Sequence, residues 1–388
     1  MKCTHAFIAT AFLAGCGGGA SAPPLGASIP PGAGTNLAHH RVGLGRVLSS
    51  KAGGQIFGFD IDRNGNDGVL ATASNVETFD QDTGTITKVF PKKLPSGTSY
   101  SITNILAGDL GLVIRYVTPT GSIFAKRFYD LMNPVTKNTF TGKWKPPVKD
   151  IQVEQAGPNQ STSTTAIFAI ELQNQDRIDV FSSDVANDTF GKVFHPNPGS
   201  VGIGDSPQCA EDTATDQAVI ATTPDGGRVG GEAPINILID LKTGKETQFN
   251  GLNNGYFGSG FVNGLAVDST TGIAATTTEL NAQVEFYNLA KQTAAFAQLP
   301  CTGDTSQSNS GSGIANDPVN GLFLVTDTFY CNGSQGSAIV VYDENANVVE
   351  SITGFKFPIG VGAPAINPSK RMGWVTGPSP SQIQQFFY

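Results

Sequence analysis

The sequence predicts an all-β fold, a β-propeller of seven blades with four antiparallel strands each, from three observations. Charged residues make up only 14% of the chain and glycine contributes 47 of 388 residues, a composition typical of a turn-rich β protein. A short motif recurs about every 50 residues. Each copy continues with alternating polar and apolar segments that end in turns rich in Asp, Asn and Gly.

The recurring motif consists of small or apolar residues, an Asp or Asn, a turn, and an apolar run. Seven copies can be counted, and their anchor residues are Asp62, Asp109, Asn159, Asp212, Asp268, Asp317 and Asn367. Each copy then adds a loop, a third strand such as INILIDLKTG, and a short fourth strand such as ETQFNGL. Four antiparallel strands in about 50 residues, repeated along a chain, are the signature of propeller blades.

The two ends of the repeat region predict how the ring closes. The last copy has a first strand near 363–367, a second near 371–376 and a third at 382–388, one strand short of a blade. Residues 41–49 precede the first complete copy and form a strand-like segment that belongs to no copy. Because an unpaired sheet edge favours aggregation, we expect 41–49 to supply the outer strand of the last blade.

The N-terminus predicts export. Lys2 provides a positive start, and the apolar run 6–13 is far shorter than the ~20 residues that a membrane-spanning helix needs. The run then ends in Leu13-Ala14-Gly15-Cys16, which resembles the lipobox of bacterial lipoproteins. The resemblance implies cleavage before Cys16 and lipidation of its thiol. Gly17, which follows, implies the outer membrane under enterobacterial sorting rules.

The chain is therefore expected to have three parts. Residues 1–15 form the signal peptide, residues 16–40 form a Gly-, Pro- and Ala-rich tether that cannot bury enough surface to fold, and residues 41–388 form the propeller. From residue 50 onward the repeats resemble those of the bacterial YVTN-, lactonase- and NHL-type propellers. This resemblance rests on general blade features, so it supports the fold far more than any activity.

Composition and motifs narrow the chemistry. The net charge of −8 disfavours nucleic acid, and membrane contact is expected only through the lipid. The sequence has no CxxC, HExxH, haem or Walker motif, and His195 is the propeller's only histidine, so no Ser-His-Asp set is indicated. We expect no cofactor.

Four acids follow or end second strands and would surround the mouth of the central channel: Glu171, Asp225, Glu279 and Asp327. Converging carboxylates bind Ca²⁺ or another divalent cation, or attract a cationic ligand. The alternative is that they are solvated loop acids in an acidic protein. Asn263 resembles the metal-ligating Asn of gluconolactonase-type propellers, but the corresponding residues of other blades are not metal ligands: Phe57, Pro207, Ser312 and Gly362.

Three cysteines remain in the propeller region. Cys301 enters the sixth blade and Cys331 lies in the loop after its second strand, so both are expected on one face of the ring. The cell envelope is oxidising, and we therefore predict a Cys301–Cys331 disulfide. Cys209 starts an inner strand two blades away, where a small thiol fits, and is expected to lie outside the bridge.

Two functions remain open. The favoured one is a lipid-anchored binding or scaffold module that recognises an envelope protein, peptide or glycan through the loop-rich face of the propeller. This face also carries the longest insertions, 224–234, 302–311 and 330–337. The alternative is a metal-dependent lactonase or related hydrolase with Asn263 and the acids at the channel mouth.

Overall fold

The computed structural model is all-β and is described for residues 41–63, 65–72, 75–91, 99–105, 111–117, 127–130, 140–141, 165–172, 177–184, 189–190, 192–196, 208–222, 235–250, 262–278, 283–299, 310–331, 334–359, 362–377 and 381–388. Several predictions fall outside these residues. They concern the signal peptide, Cys16, the tether, Asp109, Asn159, Asp225, Glu279 and Cys301.

Strands in the first half of the chain form three antiparallel sheets, each with its strands in chain order. Blade 1 contains β2 (Ile56–Ile61), β3 (Asp67–Thr72), β4 (Asn75–Asp80) and β5 (Ile86–Pro91). Blade 2 contains β6 (Ser99–Ile105), β7 (Gly111–Val117), β8 (Arg127–Asp130) and β9 (Phe140–Thr141). In blade 3 the described strands are β10 (Thr165–Leu172), β11 (Arg177–Asp184) and β12 (Thr189–Phe190).

Strands in the second half form three further complete blades in the same order. Blade 4 contains β13 (Gln208–Asp212), β14 (Gln217–Thr222), β15 (Ile235–Asp240) and β16 (Glu246–Asn250). Blade 5 contains β17 (Val262–Asp268), β18 (Ile273–Thr278), β19 (Gln283–Asn288) and β20 (Thr293–Gln298). Blade 6 contains β21 (Ser310–Asp317), β22 (Leu322–Cys331), β23 (Ser334–Asp343) and β24 (Val348–Ile352).

The seventh blade is built from both ends of the described chain. Its strands are β25 (Ala365–Asn367), β26 (Met372–Thr376), β27 (Gln382–Phe387) and, as the outer strand, β1 (Gly43–Ser49). β1 runs antiparallel to β27, with Gly43 opposite Phe387 and Ser49 opposite Gln382. A short 3₁₀ helix, Pro368–Lys370, follows β25. The predicted seven-bladed propeller and its closure by an N-terminal strand are confirmed.

In blades 4 to 7 the recurring Asp or Asn caps the turn after the first strand. Asp317 Oδ1 accepts hydrogen bonds from the backbone N–H groups of Val319 and Asn320, both at 3.0 Å. Asp268 Oδ1 accepts from Thr270 N at 2.8 Å in the equivalent turn of blade 5. A short acceptor side chain satisfies backbone donors that the turn leaves unpaired, which explains why the repeat requires Asp or Asn here.

The core is divided among the seams between neighbouring blades. The seam between blades 5 and 6 contains Phe286 and Phe323, whose rings meet edge to face with centroids 5.5 Å apart. The seam between blades 7 and 1 contains Trp374 and Phe79 in a similar arrangement at 5.3 Å. Aromatic and branched side chains on both faces of a strand make each blade dependent on its neighbours.

Candidate functional site

The antiparallel order gives the ring two different faces. The upper face carries the loops that enter each blade and the loops that follow each second strand. The lower face carries the short turns after first and third strands, where the Asp and Asn caps lie. The sequence predicts that the upper face is the contact surface, and residues 223–234 and 300–309, which include most of two predicted insertions, lie outside the described residues.

The described part of the upper face is dominated by a long hairpin in blade 6. β22 and β23 are ten residues each, whereas the equivalent β18 and β19 of blade 5 have six. The two strands remain paired as far as Cys331 and Ser334. Most of the insertion 330–337 is therefore an extension of the sheet and not an irregular loop.

Among the described residues, neighbouring strands cover only the base of this hairpin. β21 pairs with β22 as far as Thr328, and β24 pairs with β23 only as far as Ile339. The returning chain touches the outer edge at one further point, where Ile359 N donates to Ser337 Oγ at 3.1 Å. The hairpin tip consequently extends beyond the strands that flank it in its own blade.

Asp327 lies inside the hairpin and not at an exposed rim. It is opposite Gly311 on one side and Ala338 on the other, and its side chain is 0% exposed. Neither carboxyl oxygen has a hydrogen-bond partner. Burial raises the pKa of Asp327 to about 7. A carboxyl group without a partner in such surroundings is held neutral over much of the acidic range.

The remaining predicted site residues are placed separately. Glu171 lies in β10 opposite Ile178, in blade 3. Asn263 is half-buried in β17, at a bulge between Val262 and Gly264 that removes it from the regular register. Asp225 and Glu279 lie outside the described residues, so their place at the channel mouth stays a prediction, whereas Asp327 is buried and does not contribute an exposed carboxylate to such a rim. In the described ranges, no group of three or more His, Cys, Asp or Glu side chains is arranged to hold a metal ion.

The cysteine and histidine predictions have mixed outcomes. Cys331 is the last residue of β22, but Cys301 is not among the described residues, so their disulfide stays a prediction. Cys209 is half-buried in the first strand of blade 4 and packs beside Val180, Ala218 and Ile220, as expected for a small thiol on an inner strand. His195 is exposed.

Sequence reasoning missed a polar cluster on the lower face. Arg63 follows the first strand of blade 1, and its guanidinium donates to the carbonyl oxygen of Asn316 in blade 6. It therefore bridges two blades separated in the ring by blade 7. Burial lowers the pKa of Arg63, while the charges of Asp60, Asp317 and Asp268 oppose that shift. The available signal was a basic residue where the other copies have Leu, Gln, Thr, Ser or Pro.

Tyr388, the residue after the third strand of blade 7, joins the same cluster. Its hydroxyl donates to Asp317 Oδ2 at 2.9 Å, and its carbonyl oxygen accepts from Arg371 Nε at 2.8 Å. Burial raises the pKa of Tyr388 well above its usual value. A neutral phenol thus donates to the carboxylate across the seam between blades 6 and 7, which ties the blades together without adding charge.

An acid pair marks the lower end of the seam between blades 5 and 6. Glu344 Oε1 accepts from Thr271 Oγ1 at 2.7 Å, and the carboxyl group of Asp268 is close enough to affect it. Burial raises the pKa of Asp268. Burial also raises the pKa of Glu344, and the charges of Asp268 and Asp343 add to this shift. The arrangement can hold a proton between two blades, because adjacent carboxylates repel each other.

In the described part of the chain, no helix has the length and hydropathy that a membrane span requires. No family model and no curated protein matches the sequence.

Solved structures do match. The structure of the RRP9 WD40 repeats superimposes with a TM-score of 0.60 at 12% identity, covering 90% of this chain and 99% of that one. The β-propeller domain of Cps50 (Swd1) from Myceliophteria thermophila gives 0.57 at 11% identity, covering 90% and 100%. A chain of the mitotic checkpoint complex gives 0.58 at 12% identity, covering 95% and 99%. At such low identity these likenesses establish that the chain is a β-propeller.

Proposed function

We propose that this protein is a non-enzymatic scaffold that binds another protein through the upper face of the propeller, with the blade 6 hairpin as a principal contact element. The hairpin carries the proposal, because it extends past β21 and β24 on the face that the sequence assigns to recognition. Recognition elements usually project from a rigid framework, and here the framework is a closed ring.

Two further observations support a protein partner. The hairpin is an antiparallel ladder that remains paired as far as Cys331 and Ser334, so the described strands have little conformational entropy to lose on binding. One of the similar chains comes from a multiprotein assembly, the mitotic checkpoint complex. The lipobox-like Leu13-Ala14-Gly15-Cys16 adds the finer proposal that the scaffold is exported, lipidated at Cys16 and held at the cell envelope.

A shortened hairpin tests the contact surface. Deleting 329–330 together with 335–336 removes two residues from each strand, so Thr328 stays opposite Ser337 and every remaining side chain keeps its face. Proteins cross-linked to the wild type in envelope extracts should be lost with this variant. They should persist with Lys242→Glu, which changes an exposed turn on the lower face. If the shortened hairpin and Lys242→Glu capture the same proteins in equal amounts, and both keep the wild-type melting temperature, the proposal is contradicted.

The anchor and the enzymatic alternative are tested on the same preparations. Cys16→Ser should move the protein from the membrane to the soluble fraction, and wild-type protein should carry acyl mass at Cys16. An unmodified Cys16 in membrane-bound protein would contradict the proposed lipid anchor but would leave the proposed scaffold function standing. A stoichiometric divalent ion that is lost with lactone hydrolysis in Asn263→Ala would overturn the scaffold in favour of the hydrolase.

A further inference from the structure

The direction of the Asp327 side chain follows from its neighbours in β22. Thr326 faces blade 7, because its hydroxyl donates to Gly362 O at 3.2 Å as well as to Gly313 O at 3.0 Å. Side chains alternate along a strand. Asp327 therefore shares the opposite face of β22 with Phe323 and Val325, which pack against Phe286 of blade 5. The carboxyl group lies at the upper end of the seam between blades 5 and 6.

Apolar groups dominate this part of the seam. Asp327 lies at the upper end of an apolar cluster in this seam. The cluster includes Val284 and Phe286 from blade 5, and Val325, Ala338 and Val340 from blade 6. Its carboxyl group is 0% exposed and makes no hydrogen bond. An ionised carboxylate in these surroundings would lose its hydration and gain no partner in return.

The described strands packed against Asp327 offer no cation. Tyr342, on the same face of β23, is titratable, and burial raises its pKa, so it remains a neutral phenol. Glu285 of β19 alternates with Val284 and Phe286 and therefore faces blade 4. Asp268 and Asp317 end β17 and β21 at the lower face, and Asp343 ends β23 there as well.

We propose that Asp327 is a pH-sensitive latch between blades 5 and 6. The neutral acid lets the upper end of the seam close, and its ionisation opens the seam at the base of the blade 6 hairpin. Opening lowers the desolvation cost of the ionised carboxylate, because water can then reach it. The latch does not depend on what the upper face binds, so it stands apart from the proposed scaffold function.

The direction of the pH effect on seam closure follows from the raised pKa of Asp327. Burial raises the pKa of Asp327 from 3.8 to about 7. A raised folded-state pKa gives stability that is fully present below the unfolded-state value and is lost as pH rises to the folded-state value. The equilibrium constant for seam closure should thus fall between about pH 4 and pH 7, by up to about tenfold per pH unit, and then level off.

Asp327→Asn tests the latch, because it preserves the size of the side chain and removes its titration. We expect amide-exchange protection at 325–327 and 338–340 to fall with rising pH in the wild type and to stay level in the variant. Protection at 219–221 of blade 4 reports on global unfolding and should not follow the same profile. The free-energy cost of burying the new amide does not depend on pH, so it shifts protection equally at every pH. The comparison between wild type and variant therefore uses only the slope of protection against pH.

Asp240→Asn is the matched control. Asp240 is an acid in a lower-face turn, where hydrogen bonds from Thr243 hold its pKa below the usual value. Its replacement should leave the fall in protection at 325–327 unchanged. Parallel profiles for wild type and Asp327→Asn, or a carboxyl pKa near 4 measured for Asp327 by NMR, would overturn the proposal.

Discussion

The seam between blades 7 and 1 and the seam between blades 5 and 6 are held together differently. At the 7–1 seam Asn367 Nδ2 donates to Asp62 O at 3.1 Å, Gly65 O at 2.9 Å and Gln81 Oε1 at 3.0 Å. At the 5–6 seam Phe286 packs edge to face on Phe323 and lies 5.8 Å from Tyr342, centroid to centroid. Both seams contain an edge-to-face aromatic pair, but the 7–1 seam adds a buried amide that donates to three acceptors across the junction. We therefore call the 7–1 seam the polar seam and the 5–6 seam the apolar seam.

Connectivity explains the difference. Blades 5 and 6 follow each other along the chain, so packing only has to fill the space between two elements that are already neighbours. Blades 7 and 1 are distant in sequence, and their junction must select one register among several. Hydrogen bonds are satisfied in one geometry only, and so they specify the junction more sharply than apolar contact does.

The largest effect is expected in the apolar seam. Phe286→Ala removes a fully buried ring and leaves a cavity against Phe323 and Tyr342, which should lower the free energy of unfolding by about 3–5 kcal/mol. Denaturant titration measures the loss. Phe296→Ala, on the exposed face of β20, is the control and should cost less than about 0.5 kcal/mol. Similar losses for both variants would show that the seam does not limit stability.

The stability of the polar 7–1 seam should depend more on the loss of hydrogen bonds than on a change in side-chain volume. Asn367→Leu keeps the size of a side chain that is 0% exposed but removes the donor shared by Asp62, Gly65 and Gln81. We expect a loss of about 2–3 kcal/mol, because Gly65 O and Gln81 Oε1 lose a donor at this junction. The substitution also removes the side-chain cap of the 3₁₀ helix that follows β25, which contributes to the loss. The counterpart Phe286→Leu should cost less than about 1.5 kcal/mol, since apolar seams tolerate apolar exchange. A smaller loss for Asn367→Leu than for Phe286→Leu would refute the distinction.

The parts of the fold that the sequence predicts are those encoded within one repeat. Asp268 and Asp317 anticipated the turn caps, because the cap bonds reach only two or three residues along the chain. The closure by 41–49 was also predictable, since counting strands left one blade incomplete. Arg63 was not, because its contact with Asn316 depends on how blades 1 and 6 face the ring axis.

The candidate site was harder to predict for a related reason. Asp327 ends an apolar run, which is the pattern of a strand entering a polar loop, and the sequence does not indicate that pairing continues to Cys331. The hairpin extends because residues on both sides of the turn can pair, and that property appears only when the two strands are aligned. The same extension buries Asp327 and carries the described strands of the hairpin past β21 and β24.

The lower ends of the two seams extend the comparison to charge. In both seams the third residue after the first-strand cap contacts the third-strand turn of the next blade. At the 7–1 seam this residue is Lys370, whose Nζ lies 2.8 Å from Asp82 Oδ1. At the 5–6 seam it is Thr271, which donates to Glu344 beside Asp268. Equivalent positions therefore hold an attractive ion pair in one seam and an acid pair in the other.

Thr271→Lys should create at the 5–6 seam an ion pair like that of the 7–1 seam. Its effect on stability should be smaller than those of Phe286→Ala and Asn367→Leu. The new ammonium group would face Glu344 and Asp268, lower the raised pKa of both carboxyl groups and replace the hydroxyl hydrogen bond that is lost. Because Thr271 is exposed and Glu344 is only half-buried, we expect a gain of less than about 1 kcal/mol, seen as a higher melting temperature at neutral pH and low salt. The gain should shrink at about 1 M salt, where the Debye length is about 3 Å. Thr271→Gln, which is long but uncharged, controls for side-chain length. A gain that persists in high salt, or that Thr271→Gln reproduces, would show that packing and not charge distinguishes the two seams at their lower ends.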